Sequence, residues 1–242
     1  MSTFVKIIGV LLLGALGALI FNVVIFPYML TNSYFERFQF VKYFKDGKII
    51  VNPKESVYVQ ENSAIVDAIQ RVKMSVVAIQ SNTLGLRSGL VVTSDGLVAT
   101  TASIITNGKF GVFLQGESVA ATVVKTDYKN NVALLKLSKN DLQTVGFADS
   151  NMTALGQRVF LVAPLLTVSQ PGTETVAPWF VNEGIITEVT ADRIKTNMVE
   201  KPSATGSPLF NPAGELVGLN VVDSEGKIST IPISSIQALL GL

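Results

Sequence analysis

The feature that most limits the fold of this chain is a succession of short β-forming runs, bounded by turn signals, with no long helical period between them. The runs are Ser75–Gln80, Leu90–Thr93, Leu97–Thr100, Gly111–Leu114, Val119–Thr126, Val132–Leu137, Arg158–Val162, Gly184–Val189, Arg193–Met198, Leu209–Phe210, Leu216–Val222 and Lys227–Ile231. Runs of this length, separated by Gly, Asp, Asn and Pro, build antiparallel sheets rather than βαβ units. Ser94-Asp95-Gly96 joins two of them as a tight hairpin. The expected fold class is therefore all-β, a sandwich or a pair of barrels. Two short helices flank it. One begins at Asn62 or Ser63 with Ile65, Val66, Ile69 and Val72 on one face, and the other covers Ser234–Leu240.

Two residue types are missing, and their absence removes whole classes of chemistry. Without cysteine there is no disulfide, thiolate nucleophile or Cys-ligated metal. Without histidine, no side chain titrates near neutrality at its ordinary pKa, and an imidazole general base is excluded. The charge balance of 19 basic against 18 acidic residues supplies no basic field for nucleic acid. Asp127, Asp149 and Asp192 stand at turn positions, where carboxylates bond local backbone. No EF-hand, P-loop or GxGxxG pattern occurs, so neither a metal nor another cofactor is expected.

The amino-terminal region has a different character. After a tail of residues 1–6, Ile7–Leu30 is a run of 24 residues without Asp, Glu, Lys or Arg. As a helix it would reach about 36 Å, enough to cross a ~30 Å hydrocarbon core with some tilt. Small residues lie in mid-run and not at a cleavage site, which favours a single uncleaved membrane anchor over a signal peptide. Residues 31–61 then read as an aromatic juxtamembrane segment and a linker. Tyr34–Phe44 holds six of the 19 aromatic residues, as an interfacial belt or as an assembly segment. Residues 62–242 form the β domain.

The β domain resembles the protease domain of the HtrA/DegP family, trypsin-like serine proteases of the chymotrypsin double-β-barrel fold. The resemblance is carried, in order, by SGLVVTSDGLVATT at 88–101, NVALLK at 131–136 and Ala148-Asp149-Ser150. It continues through Gly184-Ile185-Ile186, Ile194–Asn197, PSATGSPLFN at 202–211 and GELVGLN at 214–220. It implies a double β-barrel, an extracytoplasmic domain engaged in protein quality control, and trimers formed near the start of the protease domain. Taken literally, the basic residues after Leu30 would place the domain in the cytoplasm, but large domains translocate largely regardless of charge. The PDZ domain carried by many family members is not expected after Leu242.

The departures from the family bear on function. Its histidine position falls on Ser103, its triad aspartate position on Asn131 and its nucleophile position on Thr205. An alcohol needs an adjacent base to become a nucleophile, and Ser103 cannot be one. Asn131 carries no charge to stabilise an imidazolium. Ser203 stands where the family has the glycine of the oxyanion hole, which puts that hole in doubt as well. No catalytic residue is expected. The leading expectation is a membrane-anchored pseudoprotease that binds a peptide or protein, with a pairing edge around Lys195–Glu200 and Val181–Thr187. Two other readings stay open: an active endopeptidase with a Ser/Thr–Lys arrangement, involving Lys201 or a distant lysine, and a structural subunit that assembles with itself or with active homologues.

Overall fold

The computed structural model describes residue 9 and residues 13–32, 34–35, 54–106, 108–165 and 179–242. The chain divides into two units, Met1–Ser56 and Val57–Leu242.

In the first unit, residues 13–20 are helical, Phe21–Ile25 forms a π turn, and helix α1 (Phe26–Thr31) follows. Pro27 sits in the first turn of α1. A proline has no N–H for the carbonyl one turn back, and a widened turn before it accommodates the missing bond. Leu13, Leu16, Leu19, Val23 and Val24 are all exposed. Among the described residues, no helix is long and apolar enough to cross a membrane. Residues 7, 8 and 10–12 of the expected span, and residues 36–44 of the aromatic segment, lie outside the described residues.

Helix α2 (Lys54–Val72), most of which belongs to the second unit, starts eight residues before the expected Asn62, inside what reads as a linker. Pro53 precedes it directly, and a proline at a helix entry costs no hydrogen bond, so it marks a start instead of a break. Ile65, Ala68 and Val72 form its buried face, whereas Val66 is 56% exposed. A step of about 100° per residue puts Val66 on the flank of the Ile65–Val72 stripe.

Among the described residues thirteen strands follow: β1 (Val76–Ser81), β2 (Gly85–Val91), β3 (Leu97–Thr101), β4 (Phe110–Leu114), β5 (Glu117–Val119), β6 (Ala121–Asp127), β7 (Val132–Leu137), β8 (Arg158–Pro164), β9 (Trp179–Val189), β10 (Ile194–Val199), β11 (Pro208–Phe210), β12 (Leu216–Val222) and β13 (Lys227–Pro232). Helix α3 (Ala102–Thr106) follows β3, and helix α4 (Ile233–Leu240) ends the domain. The first seven strands form one sheet in the order β5-β4-β1-β2-β3-β7-β6, and the last six close into a barrel, β10-β13-β12-β11-β8-β9.

The expectation of two barrels is therefore corrected in one half. The first sheet has no closing ladder between its edge strands β5 and β6. Those two strands are nevertheless separated only by Ala120, so the sheet must roll until its edges nearly meet. The single run expected at Val119–Thr126 breaks at the same residue, because β5 pairs with β4 while β6 pairs with β7.

Three apolar cores hold this arrangement. Val77, Ile79, Val98, Val112 and Leu135 fill the rolled sheet, together with Ile104 of α3. Leu161, Ile186, Leu209 and Val217 fill the closed barrel. The third core joins both sheets to α2 and α4 through Leu90, Leu134, Phe160, Phe210, Leu219 and Ile236. The Phe160 and Phe210 rings lie 5.4 Å apart between centroids. This shared core fixes the loops of one sheet against those of the other, and the candidate site is built from those loops.

Candidate functional site

Strand β3 ends at Thr101, and the chain turns at once into α3, which carries Ser103 on its exposed side. The turn before β7 places Asn131 at φ 57°. Asparagine tolerates this left-handed conformation better than most residues. From there Asn131 holds the start of α3 with two bonds. Its carbonyl oxygen accepts the Ala102 N–H at 3.1 Å, and its Oδ1 accepts the Ser103 N–H at 2.9 Å. Ser103 Oγ lies 3.2 Å from Thr101 Oγ1. Two of the three expected triad positions are thus joined, through a side-chain amide that caps a helix.

Thr205 lies in the tight turn between β10 and β11, at the end of the 3-10 turn Pro202–Ala204. Its groups are engaged within the closed barrel and the turn itself. Thr205 Oγ1 accepts the Val222 N–H at 3.2 Å, and the Thr205 N–H donates to the Pro202 carbonyl at 3.0 Å. The Ala204 N–H donates to the Lys201 carbonyl at 2.9 Å. Ser203, half-buried inside this turn, does not adopt positive φ. The Thr205 carbonyl accepts the Ser88 N–H at 3.1 Å, which ties the turn to β2.

Gly206 is the fixed point of the turn. At φ +84°, an added Cβ would lie 2.1 Å from the Ser88 carbonyl oxygen and 2.9 Å from Ile104 Cδ1. Beneath it runs a fully buried polar chain. Asn220 Nδ2 donates to Ser207 Oγ at 3.0 Å, and Thr230 Oγ1 donates to Asn220 Oδ1 at 2.7 Å. Buried polar groups linked in this way hold one backbone shape, because breaking a link strands its partner without water.

Other expected residues are placed as follows. Lys201 is exposed; its backbone N–H donates to Glu200 Oε2 at 3.3 Å, and its carbonyl accepts the Ala204 N–H. Asp149 caps the Asn151 N–H at 2.9 Å, and Asp192 accepts Thr190 Oγ1 at 2.9 Å. Asp127 accepts the Asn130 N–H at 3.1 Å and Asn130 Nδ2 at 2.6 Å; these two bonds hold its carboxyl below its ordinary pKa. Asp95 is likewise held low, first by the Lys136 ammonium at 2.7 Å and then by Thr93. No group of three or more metal-ligating side chains occurs among the described residues.

The expected peptide-pairing edge is corrected. β9 lies between β8 and β10, and β10 lies between β9 and β13, so neither strand is an edge. What the sequence suggested as a free rim is instead a pair of register slips in β10, after Lys195 on both sides. Across the gap, Asn197 Oδ1 accepts the Ile185 N–H at 2.8 Å, and Asn182 Nδ2 donates to Glu200 Oε1 at 2.7 Å.

Sequence reasoning also missed three residues around the turn. Asn220 left a trace, as the lone polar residue of the apolar strand β12, whereas Thr230 stands beside Ser229 in β13 and left none. Arg87 left a trace too, as a charge immediately before a run of small and apolar residues.

Known proteins share this architecture. The family described as trypsin-like peptidase domain matches residues 87–219, more than half of the 242-residue chain. A probable periplasmic serine endoprotease, DegP-like, of Halomonas elongata is 29% identical over 138 residues, which is 56% of this chain and 29% of that protein. Serine protease HTR4 of Bos taurus is 29% identical over 160 residues, 63% of this chain and 33% of that protein. The chain spans about three-tenths of the length of the curated relatives it matches. Among solved structures, the HtrA-type protease AlgW with tripeptide aligns with a TM-score of 0.62 at 20% identity, covering 73% of this chain and 62% of that one. The serine endoprotease of Yersinia pestis aligns with a TM-score of 0.62 at 22% identity, covering 73% and 65%. At these identities the structural likeness speaks for the fold alone.

Proposed function

The chain belongs to the trypsin-like peptidase domain family as an HtrA-like member, and from that premise we propose that it is a pseudoprotease which acts by binding a peptide or protein. The observation that carries the proposal is the state of Thr205 in a chain without histidine. Its hydroxyl accepts a hydrogen bond from Val222 N–H, and no imidazole exists to take its proton. In a trypsin-like site the nucleophile's own N–H is one donor of the oxyanion hole. Here the corresponding Thr205 N–H donates into the turn, to Pro202. Base and hole are both lost on this reading, while the buried Ser207–Asn220–Thr230 chain keeps the turn in one shape. A shaped surface without chemistry is suited to binding.

The uncharged run Ile7–Leu30 supports a single membrane anchor for the same protein, and its described part exposes apolar side chains. The names of the periplasmic relatives favour an extracytoplasmic domain. Assembly with itself or with active homologues would then use residues 34–44. Carbonate extraction of membranes should leave the full chain in the pellet, and its recovery in the soluble fraction would remove the anchor from the proposal.

The direct test is labelling of the purified chain with a fluorophosphonate probe, beside an unfolded-casein assay. Neither labelling nor hydrolysis is expected. Labelling at Thr205, Ser203 or Ser207 that disappears when one lysine is replaced would establish a lysine-assisted hydrolase in its place.

A further inference from the structure

Arg87 is the one charged side chain of β2. It immediately precedes Ser88, whose N–H holds the Thr205 carbonyl. Its direction follows from strand alternation. Gly89, two residues on, has the place of its missing side chain aimed at Val77 Cγ2 and Val98 Cγ1, each 3.0 Å from an ideal Cβ. Arg87 lies on the same face, opposite Ile79, at the rim of the rolled sheet's core. Ile104 of α3 belongs to that core and also stands against Gly206. The Arg87 face therefore borders both the helix that carries Ser103 and the turn that carries Thr205.

Among the described residues, the guanidinium at this rim has no counter-charge. It is half-buried, and its one side-chain hydrogen bond runs from Nη1 to the Leu86 carbonyl, 2.7 Å away on its own strand. Ion pairs among the described residues use Lys136, Lys139, Arg158, Lys195 and Lys227 as their cations. Burial pulls the Arg87 pKa down, yet a guanidinium stays charged in proteins. A partly desolvated cation with most of its five donors unused is matched best by a planar anion that accepts two of them.

We infer that Arg87 is a specificity-determining residue of the proposed binding site and that it receives a carboxylate of a bound peptide. The inference rests on the binding reading above and adds a ligand chemistry to it. The carboxylate comes either from a peptide's C-terminus or from an Asp or Glu side chain, and the test separates the two.

The probes are three pools of acetylated tetrapeptides, added to the detergent-solubilised full chain labelled with ¹⁵N-arginine and ¹⁵N-valine. One pool has neutral residues and a free C-terminus, one has an amidated C-terminus and an Asp or Glu, and one is neutral and amidated. Arg87 Nε–Hε, assigned with Arg87→Lys, should shift with at least one carboxylate pool and not with the neutral amide pool. The pool that shifts it identifies the source. Affinity for that pool should exceed the neutral one by roughly ten- to a hundredfold, as for hydrogen bonds to charged groups. Arg87→Gln should abolish the preference, and Arg87→Lys should keep part of it as a point charge. If the pools move valine amides of the domain equally and leave Arg87 still, the carboxylate inference is wrong and the binding reading stands. If no pool moves any signal, both fail.

Discussion

On the proposed reading, the two halves of the candidate site depart from protease chemistry in different ways. On the rolled sheet, Ser103 and Asn131 still meet, and Asn131 Oδ1 accepts the Ser103 N–H at 2.9 Å. What is missing there is side-chain chemistry, an imidazole and a carboxylate. On the closed barrel, the Thr205 side chain is an alcohol, as a nucleophile requires, but its hydroxyl and its N–H are tied to Val222 and Pro202. What is missing there is backbone arrangement. A change of side chain could mend the first half, whereas the second needs its peptide groups turned.

The same contrast orders the expected effects of mutation. The closed-barrel half should tolerate least. Gly206→Ala would force a Cβ to 2.1 Å from the Ser88 carbonyl at φ +84°. A loss of about 3 kcal/mol or more is expected from strain and overpacking together, read as the shift in urea midpoint. An unchanged midpoint would show that the turn is not rigid.

The rolled-sheet half should be milder. Asn131→Ala removes the acceptor for the Ser103 N–H and leaves alanine at φ 57°. About 1–2 kcal/mol is expected, as for a lost helix cap with some backbone strain. Asn131→Asp should keep the cap and cost far less. If both variants were equally destabilised, the amide would have a role beyond capping.

The smallest effect concerns acid. Asp127, near the Asn131 turn, has its pKa held below the ordinary 3.8 by its bonds from Asn130. A depressed carboxyl pKa stabilises the fold above the unfolded value, and that stability is lost as pH falls through the folded one. The Asp127 contribution should therefore fade below about pH 4. Asp127→Asn should flatten the stability profile only in that window, measured as Tm against pH. A change confined to neutral pH would contradict the assignment.

Much of the fold was legible because strand length and turn chemistry are local. β7 and β12 fall on their expected residues, and the hairpin closes at Gly96 with φ +98°. Features set by distant partners were not legible. The break at Ala120 depends on which edge each flanking strand joins, and the closure of one sheet but not the other depends on ladders far apart in sequence. In the site, motif spacing pointed to Ser103, Asn131 and Thr205, and the structure joins the first two through the Asn131 amide. Motif spacing could not show that the Thr205 groups are engaged, since Val222 N–H is a backbone donor and leaves no trace in residue type.

The contrast between the halves is tested most directly by casein turnover of two revertants, measured side by side. One carries Ser103→His, Asn131→Asp and Thr205→Ser, and the other adds Ser203→Gly. Restoring side chains alone should recover little activity, because the Ala204 and Thr205 N–H groups still donate into the turn. Adding the glycine should raise turnover by about 100- to 1000-fold, the usual worth of one oxyanion-hole donor. Equal and substantial activity in both revertants would contradict the account, since the barrel half would then never have lost its backbone arrangement.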